Sequence, residues 1–160
     1  MATYTKSNLG STSYYYFNTP RSTGITIPTG EYITGISINI KSDNPKWYNQ
    51  SNGSASMTFY ARANNSSASD WGGTSTYTTL CTITIAANSN NWGTNEYKSW
   101  SLSKTEGQKF SGKTVYLQGW HSSGGENKIS LYGLYTVTIT TATRFTNVTA
   151  GNYIYKTDLS

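Results

Sequence analysis

A single cysteine, Cys81, leaves this 160-residue chain no internal disulfide and no thiolate metal cluster. Folding therefore requires no oxidising compartment. One histidine, His121, excludes a multi-histidine metal site, and a Ser/His/Asp triad would have to use it. No Gly-x-Ser-x-Gly elbow accompanies it, and no glycine-rich phosphate loop is present. Charge is scarce: charged residues make up 12% of the chain, and 12 Lys and Arg against seven Asp and Glu give a net +5. The cations are scattered singly from Lys6 to Lys156, without the basic stripe of a nucleic-acid footprint, so no nucleic-acid partner is expected. No apolar run approaches the roughly 18 residues of a membrane-spanning helix, and no membrane insertion is expected. The start Met1-Ala2-Thr3-Tyr4 lacks the basic and apolar regions of a secretory signal. Work outside a cell would then follow lysis, assembly into a particle or loss of a leader. Helical periodicity is missing from the main body.

What the chain has instead is aromatic and hydroxyl-rich. Five Trp and 14 Tyr raise the aromatic share to 14%, beside 35% hydrophobic residues overall. Apolar positions alternate with polar ones, the period-two signature of half-buried strands. Short strands are read at Tyr14-Tyr15-Tyr16-Phe17 and from Gly24 to Pro28. Longer ones follow: Ile36, Ile38 and Ile40 within 33 to 41; Met57, Phe59, Ala61 and Ala63; Cys81, Ile83 and Ile85; Trp100 and Leu102; Val115 and Leu117; and Ile129, Leu131, Tyr135, Val137 and Ile139. These spacings predict an all-β antiparallel β-sandwich of about seven to nine strands, with a jelly-roll order preferred. Residues 1–12 are read as a polar arm, 13–142 as the sandwich and 143–160 as a linker or docking segment. Antiparallel succession gathers the loops at 19–23, 44–55, 87–96 and 122–127 at one end, where Trp47 and Trp92 join Trp120 and His121. The loops at 65–76 and 104–112, with Trp71, fall at the other.

Glycoside hydrolysis needs two carboxyl groups flanking the bond. The candidates are Asp43, Asp70, Glu96 and Glu126. Asp43 opens a turn with Asn44-Pro45, and Glu126 follows Gly124-Gly125 at a hairpin tip, both ordinary turn chemistry. No catalytic residue and no enzyme activity is therefore assigned. No cofactor or metal is expected, although loop oxygens leave calcium open. Glycan recognition asks for aromatic faces that stack on sugar C–H groups, with amide, carboxylate or guanidinium partners for the hydroxyls. Two surfaces offer these. The loop end carries Trp47, Tyr48, Asn49, Trp92, Asn95 and Glu126; the outward strand face carries Tyr60, Arg62, Tyr116, Gln118, Trp120 and Tyr132. Large aromatics left outside often mark an interface. The alternatives are Trp lids over the sandwich ends, cross-strand Tyr pairs that only stabilise the sheet, or an aromatic face packed on neighbouring subunits or a second copy.

The tail changes character after Thr143, with Thr157 or Asp158 placed as a helix N-cap. Either the chain is part of a longer protein or this tail docks on a partner. Val148-Thr149-Ala150-Gly151-Asn152, followed by Ile154 and Asp158-Leu159, resembles a segment recurring between modules of bacteriophage tail-fibre and other virion proteins. The Ser/Thr/Asn/Tyr-rich body is similar in style to phage adhesion modules and carbohydrate-binding β-sandwiches. The tail match covers about a tenth of the chain, and the rest matches in style without a shared motif, so no family binding residue carries over. The resemblance implies a virion-borne, extracellular location, other virion proteins as partners and contact with a bacterial surface glycan.

Overall fold

The computed structural model describes residues 1–11, 20–40, 46–49, 55–64, 76–85, 96–121, 129–143, 145–150 and 153–158. The described strands are β1 (Ala2–Ser11), β2 (Arg21–Thr26), β3 (Glu31–Ile40), β4 (Lys46–Asn49), β5 (Ala55–Asn64), β6 (Tyr77–Ile85), β7 (Glu96–Ser101), β8 (Thr114–His121), β9 (Ile129–Thr143), β10 (Phe145–Ala150) and β11 (Tyr153–Asp158). One helical turn, α1 (Lys104–Gln108), lies between β7 and β8.

All described pairings are antiparallel. One sheet runs β1-β9-β3-β7 and the other β2-β8-β5-β6, while β4 takes up pairing with β9 where β3 leaves it, and among the described residues β10 pairs only with β11. Setting β4 and the β10–β11 hairpin aside and renumbering the remaining eight strands in chain order gives sheets 1-8-3-6 and 2-7-4-5. This is the jelly-roll order. The sandwich expected from the alternating pattern is therefore present, and its eight strands fall within the expected number.

The core forms between the two sheets. Ile36, Ile38, Tyr135, Val137 and Ile139 from the first sheet meet Phe59, Ala61, Ala63, Val115 and Leu117 from the second. Phe59 stacks on the half-buried Trp100 ring across the gap, centroids 6.2 Å apart. Cys81 is half-buried against this cluster, and burial raises its thiol pKa, as befits a small core residue rather than a reactive nucleophile.

Among the described residues three register shifts interrupt the period-two pattern, while a fourth, between Ser22 and Thr26 of β2, leaves parity unchanged. In β1 the shift between Lys6 and Leu9, with Asn8 at φ 59°, lets both Tyr4 and Leu9 pack against the core although their numbers differ in parity. In β3 a shift between Ile33 and Gly35 does the same for the fully buried Ile33 and Ile36. In β6 the shift leaves Leu80 as an extra residue, because Phe59 pairs with Cys81 but Tyr60 pairs with Thr79. An inserted residue of this kind reverses which face the flanking side chains occupy.

The end of the sandwich that holds Ala2 and Thr143 is closed by α1. Ser103 and Glu106 form a reciprocal capping box that starts the turn. Phe110 is fully buried beside it. Gly107 lies so close to β3 that a Cβ there would overlap the Ile33 carbonyl, so any larger residue would force the backbone to shift. Gly112, at φ 72°, turns the chain back by donating its N–H to the Ile27 carbonyl. Strand ends Ser11, Arg21, Ile40, Ala55, Ile85, Glu96, His121 and Ile129 share the opposite end.

Several expectations are corrected. Residues 2–11 are strand β1, not an arm; the pattern was hidden because only Tyr4 and Leu9 are apolar on the inner face, on either side of the bulge. The segment after Thr143 is the hairpin β10–β11, with Thr157 and Asp158 paired to Thr146 and Phe145 rather than capping a helix. Trp47, Tyr48 and Asn49 belong to β4, not to a loop. The strand read at Tyr14 to Phe17 and the loop carrying Trp71 lie outside the described residues.

Candidate functional site

Strands β5, β6 and β8 place one aromatic and polar cluster on the outer face of the second sheet. Cross-strand register aligns Tyr77, Arg62, Tyr116 and Ser22 in one row, and Thr79, Tyr60 and Gln118 in the next. The Arg62 guanidinium lies 5.0 Å from the Tyr77 ring centroid. Tyr60 meets the same ring edge-on, centroids 5.2 Å apart. Arg62 Nε donates a hydrogen bond to Gln118 Oε1. Together Tyr60, Arg62, Tyr77 and Gln118 line a shallow depression of about 230 Å³.

The positioning has a local cause on each strand. Phe59, Ala61 and Ala63 bury the alternate positions of β5, so Tyr60 and Arg62 must face outward. Val115 and Leu117 do the same for β8. On β6 the Leu80 insertion sends Thr78 into the core and Tyr77 out. Lys109, just after α1, donates from Nζ to the Tyr77 carbonyl at 2.7 Å and ties the start of β6 to the closed end. Burial lowers the Arg62 pKa, opposed by the neighbouring Tyr77 and Tyr60, and the group stays charged.

Of the residues expected on the strand face, Tyr60 and Arg62 are half-exposed and joined in one cluster. Tyr116 and Gln118 face the same way but are only 8% and 5% exposed, because β8 is an inner strand flanked by side chains of β2 and β5. They support the surface more than they form it. Trp120 of β8 pairs with Thr58 of β5, and Tyr132 of β9 with Lys46 of β4, so the backbone places these two on different sheets. Trp47, Tyr48 and Asn49 pair with Leu131, Ser130 and Ile129. Trp92, Asn95 and Glu126 lie outside the described residues. Tyr77 was not anticipated. Parity with Cys81, Ile83 and Ile85 assigns it to the core, and only the extra residue at Leu80 reverses that.

Two other depressions compare poorly. On the outer face of the first sheet, Thr3, Thr140, Gly35 and Ser101 form one row and Thr5, Thr138, Ser37 and Ser99 the next. A hollow of about 210 Å³ there is lined mainly by hydroxyls; Trp100 also borders it, but its ring is stacked on the core residue Phe59. Its hydroxyls already bond one another and nearby carbonyls, as Thr34 does with Thr140 at 3.2 Å. A hollow of about 400 Å³ beside Asn8, Leu9, Pro20, Arg21, Ser22 and Tyr135 is larger, but Tyr135 is 3% exposed and presents no ring face. Among the described residues no cluster of three His, Cys, Asp or Glu side chains could hold a metal ion. No described helix is long and apolar enough to cross a membrane.

No protein-family model matches this chain, and no curated protein matches it. Among solved structures, it is similar to the D431N mutant VP2 protein of infectious bursal disease virus in derived T=1 particles, at 20% identity and a TM-score of 0.31. That likeness covers 86% of this chain and 31% of the VP2 chain, so the present chain spans about a third of its length.

Proposed function

We propose that the chain is a non-catalytic binding module of a phage virion that recognises a bacterial surface glycan through the outer face of its second sheet. The observation that carries this reading is the cluster of Tyr60, Tyr77, Arg62 and Gln118 around one shallow depression. Phenol rings offer the apolar faces on which sugar C–H groups stack, and the guanidinium and amide supply directional donors and an acceptor beside them. A hollow of about 230 Å³ suits a single ring of a polymer lying across the sheet. The virion location rests on the resemblance of the 148–159 segment and on an architecture that capsid and lectin domains both use.

Glycan-array or cell-wall pull-down binding by the wild-type chain, lost in Tyr77→Ala and Tyr60→Ala variants that melt like the wild type, is the expected result. Absence of binding to any bacterial envelope preparation would sink the reading. The alternative, a spacer or decoration protein whose aromatic face packs on a neighbouring subunit, is favoured if the same variants block particle assembly while the wild type binds no glycan.

A further inference from the structure

Resting on the glycan reading, we infer that the ligand is an extended stretch of glycan chain, several sugars long, which crosses the second sheet at right angles to its strands and continues over the β2 edge into a second hollow. The row that holds Tyr77 and Arg62 runs on through Tyr116 to Ser22, in the strand order β6, β5, β8 and β2. Three strand spacings separate its ends, about 14 Å. Tyr77 and Arg62 line the depression of about 230 Å³ at one end of that row, and Ser22 lines the hollow of about 400 Å³ at the other. Between them Tyr116 is 8% exposed, so its ring makes a nearly flush floor.

The two hollows suit successive units of one chain. The first supplies the phenol rings on which a sugar stacks. The second has only the buried Tyr135 ring and could not anchor a sugar alone, but Leu9 and Pro20 give it an apolar wall, and Asn8, Arg21 and Ser22 give it polar groups. Ser22 Oγ accepts from the Gly24 N–H at 3.0 Å, which fixes that hydroxyl at the junction. A chain held on Tyr60 and Tyr77 brings its next units to this hollow at high effective concentration, so weak contacts there suffice. Running along the strands instead, the ligand would meet Thr58 with Thr82 on one side and Thr26 with Thr114 on the other. Those hydroxyl pairs are bonded to each other at 3.0 and 2.8 Å, so each already uses a donor internally. The path across the strands ends in a hollow, and the path along them ends on paired threonines.

Titration calorimetry against chain length tests this. The probes are fragments of the envelope polysaccharide that the wild-type chain retains in pull-down, cut by mild acid and size-fractionated from single sugars upward. Affinity is expected to climb roughly tenfold between fragments too short to reach from Tyr77 to Ser22 and those that reach, the effect of one or two further net hydrogen bonds, and then to level off. Ser22→Leu, at an exposed position, fills the junction and is expected to bring long fragments down to the affinity of short ones while short ones bind as before. Asn8→Gly keeps the backbone at its φ of 59° and removes an amide from the second hollow, so it is expected to weaken long fragments only. Tyr77→Ala should weaken every length. Affinity independent of length, or a length dependence untouched by either Ser22→Leu or Asn8→Gly, would overturn the crossing path and leave the glycan reading standing. No polysaccharide retained from any envelope preparation would overturn both. Should Ser22→Leu fail to fold, the Asn8→Gly titrations decide the matter.

Discussion

Arg62 and Tyr77 are direct cross-strand partners on β5 and β6, and the guanidinium of one lies 5.0 Å from the ring centroid of the other. The contact is both part of the sheet and part of the surface the sheet presents. A double-mutant cycle with Arg62→Met and Tyr77→Leu should return a coupling of about 0.5–1 kcal/mol, the range for a half-exposed cation–π pair. Urea unfolding of the four proteins measures it. Strict additivity would mean that the two side chains merely lie side by side.

Gly107 offers a test in which two effects oppose each other. Alanine in a helix interior is ordinarily favoured over glycine by about 1 kcal/mol. At this position the added methyl must displace the Ile33 carbonyl. Gly107→Ala is expected to destabilise by about 1–3 kcal/mol, the cost of overpacking. A neutral or stabilised variant in denaturant melts contradicts the close approach.

The capping box makes part of the stability pH-dependent. Hydrogen bonds from the Ser103 hydroxyl and backbone hold the Glu106 carboxyl below its ordinary pKa of 4.5. A depressed carboxylate stabilises the fold above its unfolded pKa, and that stability is lost as pH falls through the folded value. Ser103→Ala should cost about 1 kcal/mol at neutral pH. The gap between wild type and variant should then narrow as the pH is lowered from about 4.5. A gap that stays constant down to acid unfolding rules out the contribution of the ionised Glu106.

Tyr135 predicts the opposite limb. Burial pushes its phenol up to about 12, with Arg21 opposing weakly, against an ordinary value of 10. Here the folded state holds the proton longer than the unfolded one, so stability is intact below pH 10 and falls as pH rises from 10 toward 12. Tyr135→Phe should remove that part of the alkaline slope. Parallel alkaline unfolding curves for the two proteins would show that Tyr135 ionises elsewhere.

The fold was more legible than the site. Ile36 and Ile38, Phe59 through Ala63, and Val137 with Ile139 announce their buried face by simple alternation, and antiparallel succession of such strands leads to the jelly roll. Alternation fails wherever one strand gains a residue on its partner, as at Ser7–Asn8, Thr34 and Leu80, since nothing local in the sequence marks those insertions. For that reason the sequence shows residues 1–12 as an arm and gives no sign that Tyr77 faces outward. Alternation also reports direction without depth: it sends Tyr116 and Gln118 outward, yet an inner strand buries them beneath their neighbours. The helical turn was the reverse case, since Ser103-x-x-Glu106 is a recognisable start that five residues of helix were too short to support by periodicity.

The spare residue at Leu80 leaves the surface one step from inversion. Were Leu80 drawn into the regular ladder opposite Tyr60, the Tyr77 phenol would turn inward and Thr78 out to solvent, whereas loss of that one codon would leave Thr79 opposite Tyr60 and Tyr77 opposite Arg62. Arg62 keeps its aromatic shelf only while that single residue stays out of the pairing.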